Sequence, residues 1–307
     1  MKPTVIVIGG PTASGKSKLG VELAKRIKGE IISADSMQIY KDMNIGTAKI
    51  THKEMQGIKH YMIDLLSPEE RYSVSDYKQS AEKHIEEIIE KGKTPIIVGG
   101  TGLYIDSLIY GIEFANEEID TMYREELNKI ADEGKLQELY NKAVEIDPVA
   151  MKKISPNDKK RIIRVLEIYH KTGMTKTEQD IKSRENEVKY NYKVFAIDMD
   201  REVLYERINK RVDLMLNNGL IEEVEELIKK YKNFKTAMQG LGYKEVVEYL
   251  NGIVSKEEMI ENLKRKTRNY AKRQLTWFRK NKDTVWLDGE ASTDENINKI
   301  LKEIWIG

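Results

Sequence analysis

The stretch VIVIGGPTASGKS, residues 5–17, decides the fold. Its apolar first part, residues 5–8, reads as a buried strand and runs directly into GPTASGKS, which has the phosphate-loop spacing G-x-x-x-x-G-K-[ST] in the expected strand-to-helix context. Gly10, Pro11, Thr12, Ala13, Ser14 and Gly15 make a loop whose backbone N–H groups can curl around phosphate oxygens. Lys16 adds a point charge, and the Ser17 hydroxyl suits a Mg²⁺ that bridges two phosphates. A bound polyphosphate is therefore expected. The loop names no reaction, because kinases, ATPases, GTPases and some transferases share it.

Outward from the loop, helical periodicity is predicted over residues 16–27 and 74–91, and the apolar runs at 30–34 and 94–98 read as strands. Strands alternating with helices predict the α/β class, a P-loop NTPase-like parallel sheet with flanking helices. Three predicted strands end in polar or glycine-rich turns: Gly9-Gly10-Pro11-Thr12, Asp35-Ser36, and Gly99-Gly100-Thr101-Gly102. Function in such sheets gathers at the carboxyl ends of the strands, so these turns are expected to face one crevice. After Gly111 the pattern becomes charged and helical, and a strand returns only at residues 192–199 (YKVFAIDM). An all-helical insertion domain at 113–191 is expected between two parts of a catalytic core, 1–112 and 192–307. In the second part, helices are predicted over 201–216 and onward to Tyr231, followed by GLGYKE, a basic helix through Lys282, a strand at 285–287 and a closing helix.

With 307 residues and 40% hydrophobic content, the chain can bury one large core and a second domain. It has no cysteine, which excludes disulfides, thiolate metal sites and cysteine nucleophiles. The four histidines show no metal-ligand spacing. The first apolar run is too short for a signal peptide and no stretch approaches bilayer length, so no membrane partner and a cytoplasmic location are expected. A net charge of +1 hides an asymmetry: residues 113–147 are mainly acidic, whereas 262–282 carry nine Lys or Arg and no Asp or Glu. One surface is expected to meet an anion.

Several residues carry candidate chemistry. Asp35, at a predicted strand end, can serve as a general base or reach Mg²⁺ through water, though Asp is also a good helix N-cap. Thr101 lies between glycines that permit close approach of a ligand, and it too can be an N-cap. Arg207 and Arg211 are four apart beside the apolar stripe of Leu204, Ile208, Val212 and Met215. Together they can clamp a diphosphate, or form a solvated face paired with Glu202 or Glu206. The like charges of the basic helix repel one another unless an anion lies near, which favours nucleic acid; its Tyr270 and Phe278 are expected in the core. Asn157, Asp158, Lys159, Lys160, Arg161 and Arg164 form a second cluster after Ser155-Pro156, suited to RNA or simply an exposed helix start.

GPTASGKS, ADSMQIY, GGTGLY, SPNDKKRIIR, the Arg207 to Arg211 helix, GLGYKE and YAKRQLTWFR together resemble the pattern of the tRNA dimethylallyltransferases over almost the whole chain. The resemblance implies transfer of a five-carbon prenyl group from dimethylallyl diphosphate to N6 of the adenosine just 3′ of the anticodon, in tRNAs reading codons that begin with U. It makes Asp35 the base and puts Thr101 near the reacting centre. Lys16, Ser17 with Mg²⁺, the loop amides and the arginine pair, Arg211 favoured over Arg207, would stabilise the departing diphosphate. The adenosine would be flipped out of its stack among Asp35, Ser36, Met37, Gln38 and Thr101. Further tRNA contacts fall by the same resemblance on Arg124, Lys159, Lys160, Arg161, Ile162, Ile163, Gln239, Gly240, Lys244, Lys272 and Arg273. Ile39 stands where Val is common, and the zinc finger of eukaryotic members is absent, which marks the bacterial form. A monomer is expected.

Two other readings use the same loop. A small-molecule kinase would hold ATP there with Asp35 as base, and an RNA-binding protein would use it as a nucleotide switch. The first leaves the basic helix without a purpose. The second gives none to a carboxylate and a threonine converging on the loop.

Overall fold

Val5, Ile6, Val7 and Ile8 are all fully buried, because β1 (Thr4–Gly9) is central in a sheet covered on both faces. The computed structural model describes residues 2–114, 120–185, 187–232 and 237–305. The remaining strands are β2 (Gly29–Ala34), β3 (His60–Tyr61), β4 (Thr94–Gly99), β5 (Asn191–Asp198) and β6 (Val285–Asp288). All pair in parallel in the order β3-β2-β4-β1-β5-β6. The two-residue β3 was not legible in the sequence; it pairs Ile31 with His60 and Ile32 with Tyr61.

Alternation along the strands divides the core in two. Val5, Val7, Ile32 and Ile97 face one layer with Tyr77, Ile85 and Tyr104, while Ile6, Ile8, Ile31 and Ile96 face the other with Leu19, Leu23 and Phe195. The covering helices carry clear start signals. The Val74–Glu90 helix opens with a Ser73 and Asp76 capping box, and the Lys256–Phe278 helix with Ser255 and Glu258.

Two compact units result, Met1–Ile109 with Lys189–Gly307, and Tyr110–Val188. Among its described residues the second unit is all helical, built on a small core of Leu127, Leu139, Ala143, Ile162, Ile163 and Leu166. Residues 115–119 and 186 of the expected insertion lie outside the described residues. No helix among the described residues is long and apolar enough to cross a membrane.

Candidate active site

The loop after β1 adopts backbone conformations that side chains rarely take, with φ of 144° at Gly10, 65° at Ala13 and 90° at Gly15. Gly15 is the N-cap of the Lys16–Ile27 helix and supplies no side-chain cap. The first-turn N–H groups are therefore left to an anion. Lys16 Nζ donates to the Pro11 carbonyl at 3.1 Å, and Arg211 Nη1 donates to Thr12 Oγ1 at 3.3 Å. Burial, then the nearby Arg211 charge, pull the Lys16 ammonium down to about 8, with Asp35 opposing. Burial lowers Arg211 as well, but a guanidinium begins so high that it keeps its charge. Two cations held close, with Asp35 and Glu54 acting on them only at a distance and no ion pair to either among the described residues, make a place for an anion.

Asp35 and Thr101 end adjacent strands. Asp35 follows β2, and its Oδ1 accepts the Met37 N–H at 2.9 Å, an Asx turn rather than a helix cap. Thr101 follows β4. Its Oγ1 accepts the Ser36 N–H at 3.1 Å, while its carbonyl, not its hydroxyl, receives the Tyr104 N–H that starts the next helix. Both capping alternatives therefore fall away. Gly99 is required here, since an added Cβ would stand 2.2 Å from the Ala34 carbonyl oxygen.

A cleft of about 390 Å³ runs between the phosphate loop and the Asp35 loop; Thr101 is not in its lining but is tied to it through Ser36. Thr12, Lys16, Ser17 and Arg211 line it with Asp35, Ser36, Met37 and Gln38, and Gln239, Gly240 and Arg273 also reach it. Val98, Val212, Met215, Leu241 and Leu263 give it an apolar side. Arg207 is exposed and absent from this lining, because it sits one turn back, about 6 Å along the helix. Lys244 and Lys272 are exposed outside the lining, Lys244 with a long contact of 3.8 Å to Glu248.

The basic helix is less uncompensated than its sequence implied. Lys264 pairs with Asp213 at 2.7 Å, Lys266 with buried Glu245 at 2.8 Å, and Arg279 with Asp198 at 3.1 Å. Exposed Lys272 and Arg273 have no ion pair among the described residues, and Arg273 lies over the Tyr270 ring. Tyr270 itself corrects an expectation: it lines the cleft, partly exposed, whereas Phe278 is a core residue as expected. Burial and nearby Asp35 push the Tyr270 hydroxyl above its ordinary range, so it stays protonated and able to donate.

In the second unit, Lys160 and Arg161 are exposed, and Lys159 Nζ bonds Asp132 at 2.7 Å. Ile162 and Ile163, expected at tRNA, put their side chains in the core of that unit. Helical spacing explains this, since they begin the stripe that continues with Val165 and Leu166. The Arg124 guanidinium is likewise engaged, making a two-point pair with buried Glu167.

Two contributors were missed by sequence reasoning. Gln274 is buried and accepts the Thr12 N–H at 2.9 Å. The available signal was its place on the same helix face as Leu263, Thr267, Ala271 and Phe278. Glu223 accepts the N–H groups of Asn44, Ile45 and Gly46 at 2.7–3.0 Å and the Tyr243 hydroxyl at 2.8 Å, fixing the loop that presents Thr47 to the cleft. Nothing local in LIEEVEELIKK marks it, because its partners lie far away in the chain.

Among the described residues no group of three or more His, Asp or Glu could enclose a metal ion. The cleft offers the Ser17 hydroxyl and Asp35 carboxylate. That sparse oxygen set fits a hard divalent cation that keeps phosphate oxygens and water as its other ligands.

A sequence model of the IPP transferase family matches residues 38–281. The tRNA dimethylallyltransferase of Acetivibrio thermocellus is 53% identical over 300 residues, covering 97% of this chain and 96% of that protein. That of Bacillus anthracis is 47% identical, with 98% and 95% covered. Among solved structures, the tRNA isopentenylpyrophosphate transferase of Bacillus halodurans aligns with a TM-score of 0.73 at 43% identity, covering 99% of this chain and 96% of that one. A eukaryotic dimethylallyltransferase acting on tRNA aligns with a TM-score of 0.79 at 32% identity, covering 97% and 77%. With its family match spanning most of the sequence and its relatives aligned nearly end to end, the chain belongs to the IPP transferase family.

Proposed function

We propose that the protein transfers a dimethylallyl group from dimethylallyl diphosphate to N6 of the adenosine 3′ of the anticodon, in tRNAs that read codons beginning with U. The observation that carries this reading is one cleft holding both a phosphate loop with two half-buried cations, Lys16 and Arg211, and, from the neighbouring strand end, Asp35, whose loop is tied through the Ser36 N–H to Thr101. A hydrolase of nucleotides needs no such acceptor side.

The adenine N6 lone pair is delocalised into the ring, so the amine becomes a useful nucleophile only as it loses a proton. In this mechanism Asp35 takes that proton while N6 bonds to the allylic carbon. The carbon–oxygen bond breaks and its electron pair leaves with diphosphate. Lys16, Arg211 and the loop N–H groups hold the charge that grows on the leaving oxygens, which is where preorganised donors lower a barrier most. Thr101, fixed by Ser36, orients the acceptor base, and the apolar wall of Val212, Met215 and Leu263 suits a prenyl chain or an adenine ring. Ser17, with Asp35 through water, would hold Mg²⁺, which supplies positive charge to the diphosphate oxygens.

Gln239, Gly240, Lys272 and Arg273 would meet tRNA from the core, with Lys244 at the rim and Lys160 and Arg161 from the insertion. Ile162 and Ile163 would serve there by shaping the helix rather than by touching RNA, and Arg124 by holding Glu167. Such an enzyme works where tRNA matures, in the cytoplasm. Purified protein incubated with unmodified tRNA and either labelled dimethylallyl diphosphate or labelled ATP tests the reading. Label should pass from the prenyl donor to tRNA; transfer from ATP to an acceptor, with none from the prenyl donor, would refute it.

A further inference from the structure

One face of the Lys256–Phe278 helix is seated on both loops of the cleft. Gln274 accepts the Thr12 N–H at 2.9 Å through Oε1 and donates to the Gly100 carbonyl at 2.9 Å through Nε2. It is 5% exposed, so neither bond is readily exchanged for water. Its neighbours seat in the same way. An added Cβ on Gly9 would stand 2.2 Å from the Phe278 ring, one on Gly102 would stand 2.4 Å from the Trp277 ring, and one on Gly100 would stand 2.0 Å from Gln274 Nε2. Glycines thus occupy the three points where this helix presses on the strand ends.

The opposite side of the helix is different in kind. Lys272 is exposed there, and Arg273 runs from the surface to the cleft. One rigid element therefore carries surface cations and, a few residues on, a carboxamide that pins the phosphate loop to the Thr101 loop. A small movement of the helix must change the aim of the Thr12 N–H, the position of Gly100, or both.

We propose that Gln274 is a positioning residue that couples polynucleotide binding on the basic helix to diphosphate binding in the phosphate loop. This rests on the function proposed above, in that it takes the polynucleotide to be tRNA and the loop ligand to be a prenyl diphosphate. A bound polyanion draws on Lys272 and Arg273, the helix settles, and Gln274 transmits the change to Thr12. By reciprocity, a diphosphate in the loop strengthens polynucleotide binding by the same factor.

The test is an equilibrium one. The dissociation constant of inorganic diphosphate with Mg²⁺ is measured for the protein alone and for the protein saturated with an unmodified anticodon stem-loop. The ratio of the two constants should be about fivefold or more in the native protein. It should fall to one in Gln274→Met, which keeps the side-chain length but neither hydrogen bond, and likewise in Gly100→Ala, whose methyl displaces the carboxamide. Thr276→Ala, an exposed control on the same helix, should keep the native ratio. A native ratio of one, or an undiminished ratio in either folded Gln274→Met or Gly100→Ala, would overturn the proposal. Absence of prenyl transfer by the native protein would instead overturn the functional reading, and that is scored separately because this ratio does not depend on turnover.

Discussion

Ser36 and Thr101 lock two strand ends together: the Ser36 N–H donates to Thr101 Oγ1 at 3.1 Å, across the junction of β2 and β4. Asp35, one residue before Ser36, is therefore held by the loop of the neighbouring strand as well as by its own Asx turn. A base that must meet a flipped nucleotide gains from such fixing, because misplacement of about 1 Å can cost about a hundredfold in rate.

Asp35→Asn keeps the acceptor oxygen for the Met37 N–H and removes only the basicity. Single-turnover transfer should fall about 10²–10⁴-fold, the usual contribution of a general base, with tRNA affinity nearly unchanged. Thr101→Val, by contrast, should lower both rate and tRNA affinity, since it frees the Ser36 N–H and loosens the acceptor side. A large loss of tRNA binding in Asp35→Asn would move that residue to recognition.

The Lys16 ammonium, lowered to about 8, gives donor binding a defined pH dependence. An empty cleft disfavours the charged amine and a bound diphosphate favours it, so binding takes up a proton near pH 8. Affinity for dimethylallyl diphosphate should be flat well below pH 8 and weaken as pH rises through it, by up to about tenfold per unit. Calorimetry in buffers of different ionisation enthalpy would show the uptake, and Lys16→Met should abolish it.

Charge on the basic helix divides into free and committed groups. Lys272→Ala and Arg273→Ala should each reduce the slope of log K for tRNA against log salt by about 0.7–0.9. Lys266→Ala should leave the slope alone but lower the melting temperature, since it strands the buried Glu245 carboxylate at a cost of about 1–2 kcal/mol. Equal slope changes for all three would contradict this division.

Glu223→Ala leaves the Asn44, Ile45 and Gly46 N–H groups without their acceptor. Partial hydration should limit the loss of stability to about 2–3 kcal/mol, measurable by denaturant unfolding. KM for the donor should rise more than kcat falls, because the loop bearing Thr47 is a wall of the cleft rather than part of its acid–base machinery.

Much of the core was legible because it rests on local signals. Apolar runs within β1 and β4, the Ile31-Ile32 pair of β2, and Gly-Lys-Ser after the first strand leave little choice but a parallel sheet with an anion loop at its carboxyl edge. The two-residue β3 carries no periodicity, so its pairing with β2 had no local trace. The cleft residues Gln274 and Tyr270, and Glu223 behind the loop that bears Thr47, were missed for another reason. Their roles come from contacts across 174 or more residues in two of the three cases, and a helix face seen in sequence does not reveal what it packs on. The same gap made the basic helix look uncompensated, because Asp198, Asp213 and Glu245 sit on other elements.

The most direct measurement uses unmodified tRNA and isotopically labelled dimethylallyl diphosphate, with the product digested to nucleosides and examined by mass spectrometry. The expected result is one labelled nucleoside, adenosine carrying the prenyl group on N6, recovered from the position 3′ of the anticodon, with diphosphate released in equal amount and none of it formed by Asp35→Ala. Label on any other atom or position, or undiminished product from Asp35→Ala, would contradict the assignment of this cleft as the place where N6 meets the prenyl donor.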